Sequence, residues 1–333
     1  MTKVNTIFNE SQENYVISEE WEAELLITQK NTLADGVIEV ILTKPCGGSL
    51  PAWTPGAHID LILPNGIVRQ YSLCGDINDS TYYRVGILCE MEGRGGSKFI
   101  HQELESGQHI RVRGPRNHFA LVKADRYLFI AGGIGITPII PMIQAVEDTS
   151  ADWRLIYGGR NQNSMAFRDE LLKYGDKVRF FPTDSSGPLP IDMELSELKK
   201  GSHIYTCGPE GLINAVESKS ANWPENHIHS ERFSAKTVEA PENAIEQFEV
   251  ECRRSNITVQ VGPDESIIDV IEAKGIKVLA SCRAGVCGTC EVDIIEGEAD
   301  HRDTVLSKSE KESNEFMLVC CSRSLSKKLV LDI

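Results

Sequence analysis

The stretch Ser281-Cys282-Arg283-Ala284-Gly285-Val286-Cys287-Gly288-Thr289-Cys290 carries three of the chain's ten cysteines on one short loop, and Cys320 and Cys321 follow some thirty residues later. Cys-x4-Cys-x2-Cys with a distant fourth cysteine is the spacing of plant-type [2Fe–2S] centres. Three thiolates on a tight loop reach both irons from one side, and the fourth closes the cage. Cys320 and Cys321 can each supply that fourth ligand. Gly285 and Gly288 let the backbone wrap closely and aim N–H groups at sulfur, and Ser281, Ala284 and Thr289 are small enough to permit it. Structural zinc usually takes paired Cys-x2-Cys units, and within this loop only Cys287 and Cys290 form one. Cys46, Cys74, Cys89 and Cys252 belong to no constellation and read as small buried hydrophobes.

Working back from the loop, residues 126–233 alternate short apolar runs with helical stretches. The runs at 127–131, 154–157, 178–181 and 204–207 are followed by helical patterns at 139–147, 165–173, 195–199 and 212–218, and 227–233 closes the series. Repeated strand–helix units with short loops predict a parallel sheet covered by helices on both faces. After the first strand comes Gly132-Gly133-Ile134-Gly135-Ile136-Thr137-Pro138. Its glycines let a phosphate-bearing ligand approach the backbone, Thr137 can cap the next helix, and Pro138 suits that helix's first position. The helix N-terminus then faces a pyrophosphate. Tyr157-Gly158-Gly159-Arg160 and Cys207-Gly208-Pro209 put further glycines at the carboxyl edge of the same sheet, where ligands bind in such folds. Asp184, in Pro182-Thr183-Asp184 at the end of the third strand, is placed to accept a ribose hydroxyl and repel a 2′-phosphate, which favours NADH.

Further upstream, alternating runs at 37–42, 57–63, 68–73 and 82–88 are separated by turn residues such as Pro64-Asn65-Gly66. Strands this short and this spaced suggest a small antiparallel barrel or sandwich. Arg69-Gln70-Tyr71-Ser72-Leu73 offers a phosphate partner, an aromatic face and a hydroxyl for a ring heteroatom. Gly93-Arg94-Gly95-Gly96-Ser97 precedes a helical run at 98–104 and reads as a second anion cradle. A hydride donor delivers two electrons together, whereas a [2Fe–2S] centre takes one at a time. Flavin chemistry bridges the two.

Bulk properties narrow the classes. A length of 333 residues suggests two or three domains. Acidic residues outnumber basic ones by 49 to 34, which argues against a general nucleic-acid binder. No apolar run approaches the roughly 18 residues of a membrane span, and the first twenty residues lack the basic-then-apolar pattern of a signal peptide, so a soluble, cytoplasmic protein is expected. The acid is uneven: residues 25–124 hold ten basic and nine acidic side chains, whereas 246–333 hold eleven basic and seventeen acidic. Residues 1–24 read as an acidic extension and 234–247 as a polar linker. Beyond it, 248–253 and 257–261 form a hairpin pattern and 267–273 a short amphipathic helix.

Taken in order, RQYSL, GRGGS, GPRNHF, GGIGITP, YGGR, CGP, HSERF and the terminal CRAGVCGTCEVDIIEGEADHRDTVLS, MLVCCSRS and LVLDI make residues 25–333 resemble the FMN-containing, ferredoxin-NADP-reductase-like reductases of Rieske oxygenase systems. That resemblance implies an antiparallel β-barrel flavin domain over 25–122 and a doubly wound α/β NAD domain over 123–233. After the linker it implies an α+β, β-grasp plant-type ferredoxin domain over 248–333. It carries the flavin strand onto Arg69, Tyr71 and Ser72, and the FMN phosphate loop onto Gly95, Gly96 and Ser97. The nicotinamide dinucleotide site falls on Gly132, Gly133, Gly135, Thr137 and Pro138 with Cys207, Gly208 and Pro209, beside Arg160 and Asp184. Phe233 matches the aromatic residue set near the isoalloxazine ring, so Ser72, Cys207 and Phe233 are the residues expected at the hydride-transfer centre. The cluster ligands are expected to be Cys282, Cys287, Cys290 and Cys320, because the first cysteine of the family's terminal motif is the ligand. The short GRGGS loop resembles the FMN rather than the FAD form. The implied activity is NADH to FMN to [2Fe–2S] to a terminal oxygenase, which in relatives acts on aromatic acids or on quaternary amines such as carnitine. A reductase for another acceptor is the alternative, disfavoured because many such proteins place the ferredoxin domain before the flavin domain, unlike this chain; a non-catalytic redox carrier conflicts with the intact GGIGITP and CGP stretches.

Overall fold

The computed structural model describes residues 21–234 and 245–333, so most of the expected N-terminal extension and of the linker lies outside the described residues. The first sheet contains β1 (Glu22–Ala34), β2 (Val37–Thr43), β3 (His58–Ile62), β4 (Val68–Ser72), β5 (Tyr82–Leu88) and β6 (His109–Arg116), with α1 (Gly96–Glu103) between the last two. Its order is β4-β3-β6-β1-β2-β5 with every pair antiparallel, and a Leu73–Val85 bridge joins the two ends into a barrel. The period-2 pattern explains the closure. Leu25 and Ile27, Val40 and Leu42, Ile59 and Leu61, Val85 and Ile87, and Ile110 and Val112 all point into one core, each contributing roughly 1.5–3 kcal/mol on burial. The 13-residue β1 lies at the middle of the sheet, whereas the sequence suggested a solvated tail or edge up to residue 24. Its acidic start obscured it: Glu22 lies on the outer face, paired with Arg111.

The second sheet is built from β7 (Arg126–Gly132), α2 (Ile139–Glu147), β8 (Asp152–Gly159), α3 (Arg168–Leu171), β9 (Val178–Pro182), α4 (Thr183–Ser186), α5 (Ile191–Ser196), β10 (His203–Cys207), α6 (Glu210–Lys219) and β11 (Ile228–Glu231). All strands are parallel in the order β11-β10-β7-β8-β9, and apolar clusters cover both faces, as in a doubly wound fold. The direction of winding reverses at β7, so the turns after β7 and β10 flank the crevice where ligands bind in such sheets. Two helices differ from their sequence patterns. The one expected over 165–173 starts late, at α3, because Phe167 takes a left-handed φ of 59°, which sends its ring beneath the Arg84 guanidinium at 4.8 Å, and it continues as a 3-10 segment over Leu172–Lys177. The one expected over 195–199 starts earlier, directly after Pro190.

The third unit has β12 (Phe248–Cys252), β13 (Ile257–Val261), α7 (Ile267–Glu272), β14 (Glu291–Glu296), β15 (Ala299–Asp300), α8 (Lys308–Ser313), β16 (Phe316–Leu318), β17 (Arg323–Ser324) and β18 (Lys328–Leu331). Its main sheet, β13-β12-β18-β14-β16, is mixed, with the last strand running parallel beside the first. This is the expected α+β arrangement, and the hydroxyl of Ser266 caps α7 by accepting the Asp269 amide. Cys74 and Cys252 are buried as expected, but Cys46 is exposed in the turn after β2 and Cys89 is only half-buried just past the end of β5. No helix among the described residues is long and apolar enough to cross a membrane.

Candidate functional site: two adjoining cavities and a thiol cage

The carboxyl edge of the parallel sheet lines a cavity of 800 Å³ that receives Gly132, Gly133, Gly135, Arg160, Gly208 and Pro209. Glycine is required here by contact. A Cβ on Gly135 would lie 2.3 Å from the Cys207 carbonyl oxygen, and one on Gly132 would lie 2.7 Å from the Pro209 ring. The turns after β7 and β10 therefore pack closely, Gly135 against the Cys207–Gly208 backbone and Gly132 against the Pro209 and Leu212 side chains. Thr137 does not cap α2 as the sequence suggested. Its hydroxyl donates to the Ile134 carbonyl at 2.9 Å, and Pro138 holds the N-cap position with its ring buried. Asp184 sits in the first turn of α4, exposed, with its amide donating to the Arg160 carbonyl at 3.1 Å; it adjoins this cavity without lining it, and Thr183 lines it instead.

A second cavity of 140 Å³ lies in the barrel and is lined by Arg69, Tyr71, Ser72, Gly96, Ser97 and Thr137. Gly95 takes φ 81° at the N-cap of α1 and supplies no side-chain acceptor, so the first N–H groups of that helix are open to an anion. A Cβ on Gly96 would strike the Arg69 side chain at 2.5 Å. Arg69 donates to the carbonyls of Val68 and Arg94, and burial together with the Arg94 charge lowers its pKa. Burial raises that of the Tyr71 phenol. The two cavities share Leu88, Glu90, Ile134 and Phe233 as a common wall.

Phe233, expected beside the flavin ring, thus belongs to both cavities and keeps 44% of its surface exposed. Cys207 differs. Its thiol is fully buried in the core under the glycine turn and lines neither cavity, and burial with the nearby Glu231 carboxyl pushes its pKa well up.

Glu231 was missed in the sequence. It closes β11 opposite Cys207, its Oε2 has no hydrogen-bond partner among the described residues, and burial raises its carboxyl to about 8. Such a carboxyl keeps its proton in the folded state after the unfolded chain, near 4.5, has lost it. Folding stability therefore declines as pH rises from about 4.5 to about 8, by about 1.4 kcal/mol per unit for this one group. Glu231→Gln should flatten that decline in urea titrations between those values; an unchanged slope would mean the carboxyl is ionised in the fold.

In the third unit Cys282, Cys287, Cys290 and Cys320 are all buried, and they meet as two pairs: Cys287 is hydrogen-bonded to Cys282 and Cys290 to Cys320. These contacts and burial raise the thiol pKa values of Cys287 and Cys290. Two pairs suit two metal atoms better than one. The Ala284 and Val286 amides donate to Cys282 Sγ at 3.3 and 3.5 Å. Cys321 lies behind the loop, its Sγ 2.5 Å from where a Cβ of Gly285 would stand. The donor set fits a [2Fe–2S] cluster.

Family comparisons meet this geometry at both ends. Residues 250–325 match a 2Fe-2S iron-sulfur cluster binding domain, and 129–218 match an oxidoreductase NAD-binding domain. The carnitine monooxygenase reductase subunit of Escherichia coli is 38% identical over 93% of this chain and 98% of that protein. The chain belongs to the family of oxygenase reductases. The vanillate O-demethylase oxidoreductase of a Pseudomonas species is 36% identical to this reductase over 93% of its chain. The crystal structure of phthalate dioxygenase reductase, described as a modular structure for electron transfer from pyridine nucleotides to [2Fe–2S], superposes with a TM-score of 0.69 at 34% identity, covering 94% of this reductase and 98% of that chain. An intact type IV self-sufficient cytochrome P450 monooxygenase matches at TM-score 0.87 and 39% identity, but the reductase spans only 41% of that chain. The same flavin–NAD–ferredoxin span therefore occurs fused to a P450, and domain order does not separate one acceptor from the other. The reductase is an NADH-driven, [2Fe–2S]-bearing electron-transfer oxidoreductase of an oxygenase system.

Proposed function

We propose that this reductase serves a Rieske-type terminal oxygenase as a separate component and carries FMN in its barrel. The common wall of the two cavities carries this reading, because a nicotinamide in one is brought against a flavin in the other with Phe233 at the boundary. When bound, the flavin takes a hydride as an electron pair and yields electrons singly to a cluster that accepts one at a time.

The chain's own residues bind and orient. Arg69 and the α1 N-terminus at Gly95–Ser97 hold the flavin phosphate, and Tyr71 and Ser72 flank the ring. Gly132, Gly133, Gly135, Gly208 and Pro209 cradle the pyrophosphate, with Arg160 and Asp184 toward the ribose. Cys207 shapes the turn from below. Phe233, on the wall common to both cavities, would lie between a flavin ring and a nicotinamide. Cys282, Cys287, Cys290 and Cys320 are the cluster ligands. No side chain has to act as general acid or base in the hydride step.

Relatives matched over nearly their whole length are named as reductase subunits, which favours a separate oxygenase over a fused one, and carnitine and phthalate are the substrates their names carry. Two outcomes test the reading. Flavin released from the holoenzyme should weigh as FMN, since the short Gly93–Ser97 loop resembles the FMN form; FAD would overturn it. The acidic 246–333 segment against a basic oxygenase patch predicts that partner reduction slows as salt rises. A rate indifferent to ionic strength, or electrons accepted by a P450 and refused by a Rieske protein, would count against the assignment.

A further inference from the structure

Three consecutive residues of the cysteine loop are each gripped by a different side chain of the barrel. Arg113 Nη2 donates to the Ala280 carbonyl at 3.4 Å, the Ser281 hydroxyl donates to Asp60 Oδ1 at 2.7 Å, and Arg94 Nη1 donates to the Cys282 carbonyl at 3.1 Å. A fourth contact lies on the far side of the loop, where the His118 ring stands 2.8 Å from the position a Cβ of Gly288 would take. A Cβ at Gly288 would displace that ring, and the φ of 71° there itself favours glycine.

Asp60 is the centre of this contact. It lies on β3 with no exposed surface and accepts from Arg113 Nε at 2.9 Å and Nη2 at 2.7 Å, from Arg116 Nη2 at 2.5 Å, and from Ser281 across the domain boundary. A carboxylate is buried at tolerable cost only where charge and hydrogen bonds compensate it. Here the barrel supplies both arginines and the cluster loop supplies the remaining donor. Arg94 ties the same junction to the flavin cradle, because its own carbonyl is held by Arg69 at 3.0 Å and its backbone lies in the glycine turn before α1. The grip thus joins the loop that cradles the flavin phosphate to the residue carrying the first cluster ligand.

We propose that Asp60, acting through Ser281 and assisted by Arg94, is a positioning residue that fastens the cluster loop to the flavin barrel, so that the iron–sulfur domain works as a docked body gripped at Cys282 rather than one that swings between partners. Electrons cross this junction singly, and no bond is made or broken in the crossing. The proposal rests on the flavin reading of the barrel. The two fail separately: without a flavin in the barrel, NADH would bleach nothing even in the unaltered protein.

The test uses holoenzyme with Ser281→Ala, which removes only the cross-domain bond and leaves Asp60 with its arginines, and Ser281→Thr, which retains the hydroxyl. Cluster loading is matched by the EPR amplitude of the dithionite-reduced protein. A hydrogen bond to a buried charge weights the docked arrangement about tenfold. Ser281→Ala should therefore reduce its flavin with NADH at the unaltered rate, reduce its cluster about tenfold more slowly, and show faster hydrogen exchange at 280–283. Ser281→Thr should restore both. Asp60→Asn should go further in the same direction, and if it fails to fold the Ser281 pair decides alone. Unaltered cluster reduction and unaltered exchange in Ser281→Ala would overturn the proposal.

Discussion

Cys287→Ser is expected to block delivery of electrons to a protein acceptor while NADH still bleaches the flavin. Cys287 is 2% exposed and paired with Cys282 inside the cage. A serine hydroxyl in its place is a far poorer ligand for iron–sulfur chemistry than a thiolate. Loss of an outer-sphere partner already costs about 10–100-fold at metal sites, so loss of a ligand should cost more than about 100-fold in acceptor reduction. The two cavities lie in other sheets and share no residue with the cage, so flavin reduction should proceed. Cytochrome c reduction and anaerobic flavin bleaching, measured on one preparation, give the two numbers. Loss of both would contradict the linear order from nicotinamide to flavin to cluster.

Gly135→Ala should be the most damaging single-methyl change at the nucleotide cavity. The added carbon would stand 2.3 Å from the Cys207 carbonyl oxygen and 2.6 Å from the Gly208 amide nitrogen. Both are backbone atoms at the end of β10, so no side chain can swing aside. The turn after β7 must lift, at about 1–3 kcal/mol of stability. Lifting it displaces the floor on which the pyrophosphate is expected to rest, and a shift of about 1 Å at a positioning element can cost about 100-fold in rate. The expected result is a lowered unfolding midpoint with a strongly raised KM for NADH, while bound flavin is retained. A normal KM would remove the glycine turn from the nucleotide site.

The sequence disclosed what is local. Cysteine spacing, the glycine turns after two strands, the period-2 strands and the strand–helix alternation each depend on residues close in the chain, and they led to the cage, the glycine turns at the cavity, an antiparallel first sheet and a parallel second one. Long-range closure was hidden. β1 looked like a tail because only Leu25 and Ile27 of its thirteen residues are buried, its remaining support coming from strands on either side. The helix expected at 165–173 starts three residues late, after a left-handed Phe167 whose ring packs against Gly86 in another domain. Cys207 occupied the expected turn, but only the fold shows its thiol pointing into the core. Glu231 looked like any strand-end carboxyl until β10 and β11 enclosed it. Asp60 and Ser281 are 221 residues apart, and no pattern in either stretch announces the other.

The central claim is an order of events, and rapid anaerobic mixing of the holoenzyme with one equivalent of NADH tests it most directly. The account predicts that flavin absorbance falls first and that the reduced-cluster signal rises only afterwards, drawing on the electrons the flavin received. A cluster signal that appears at the same rate in flavin-stripped protein would contradict it.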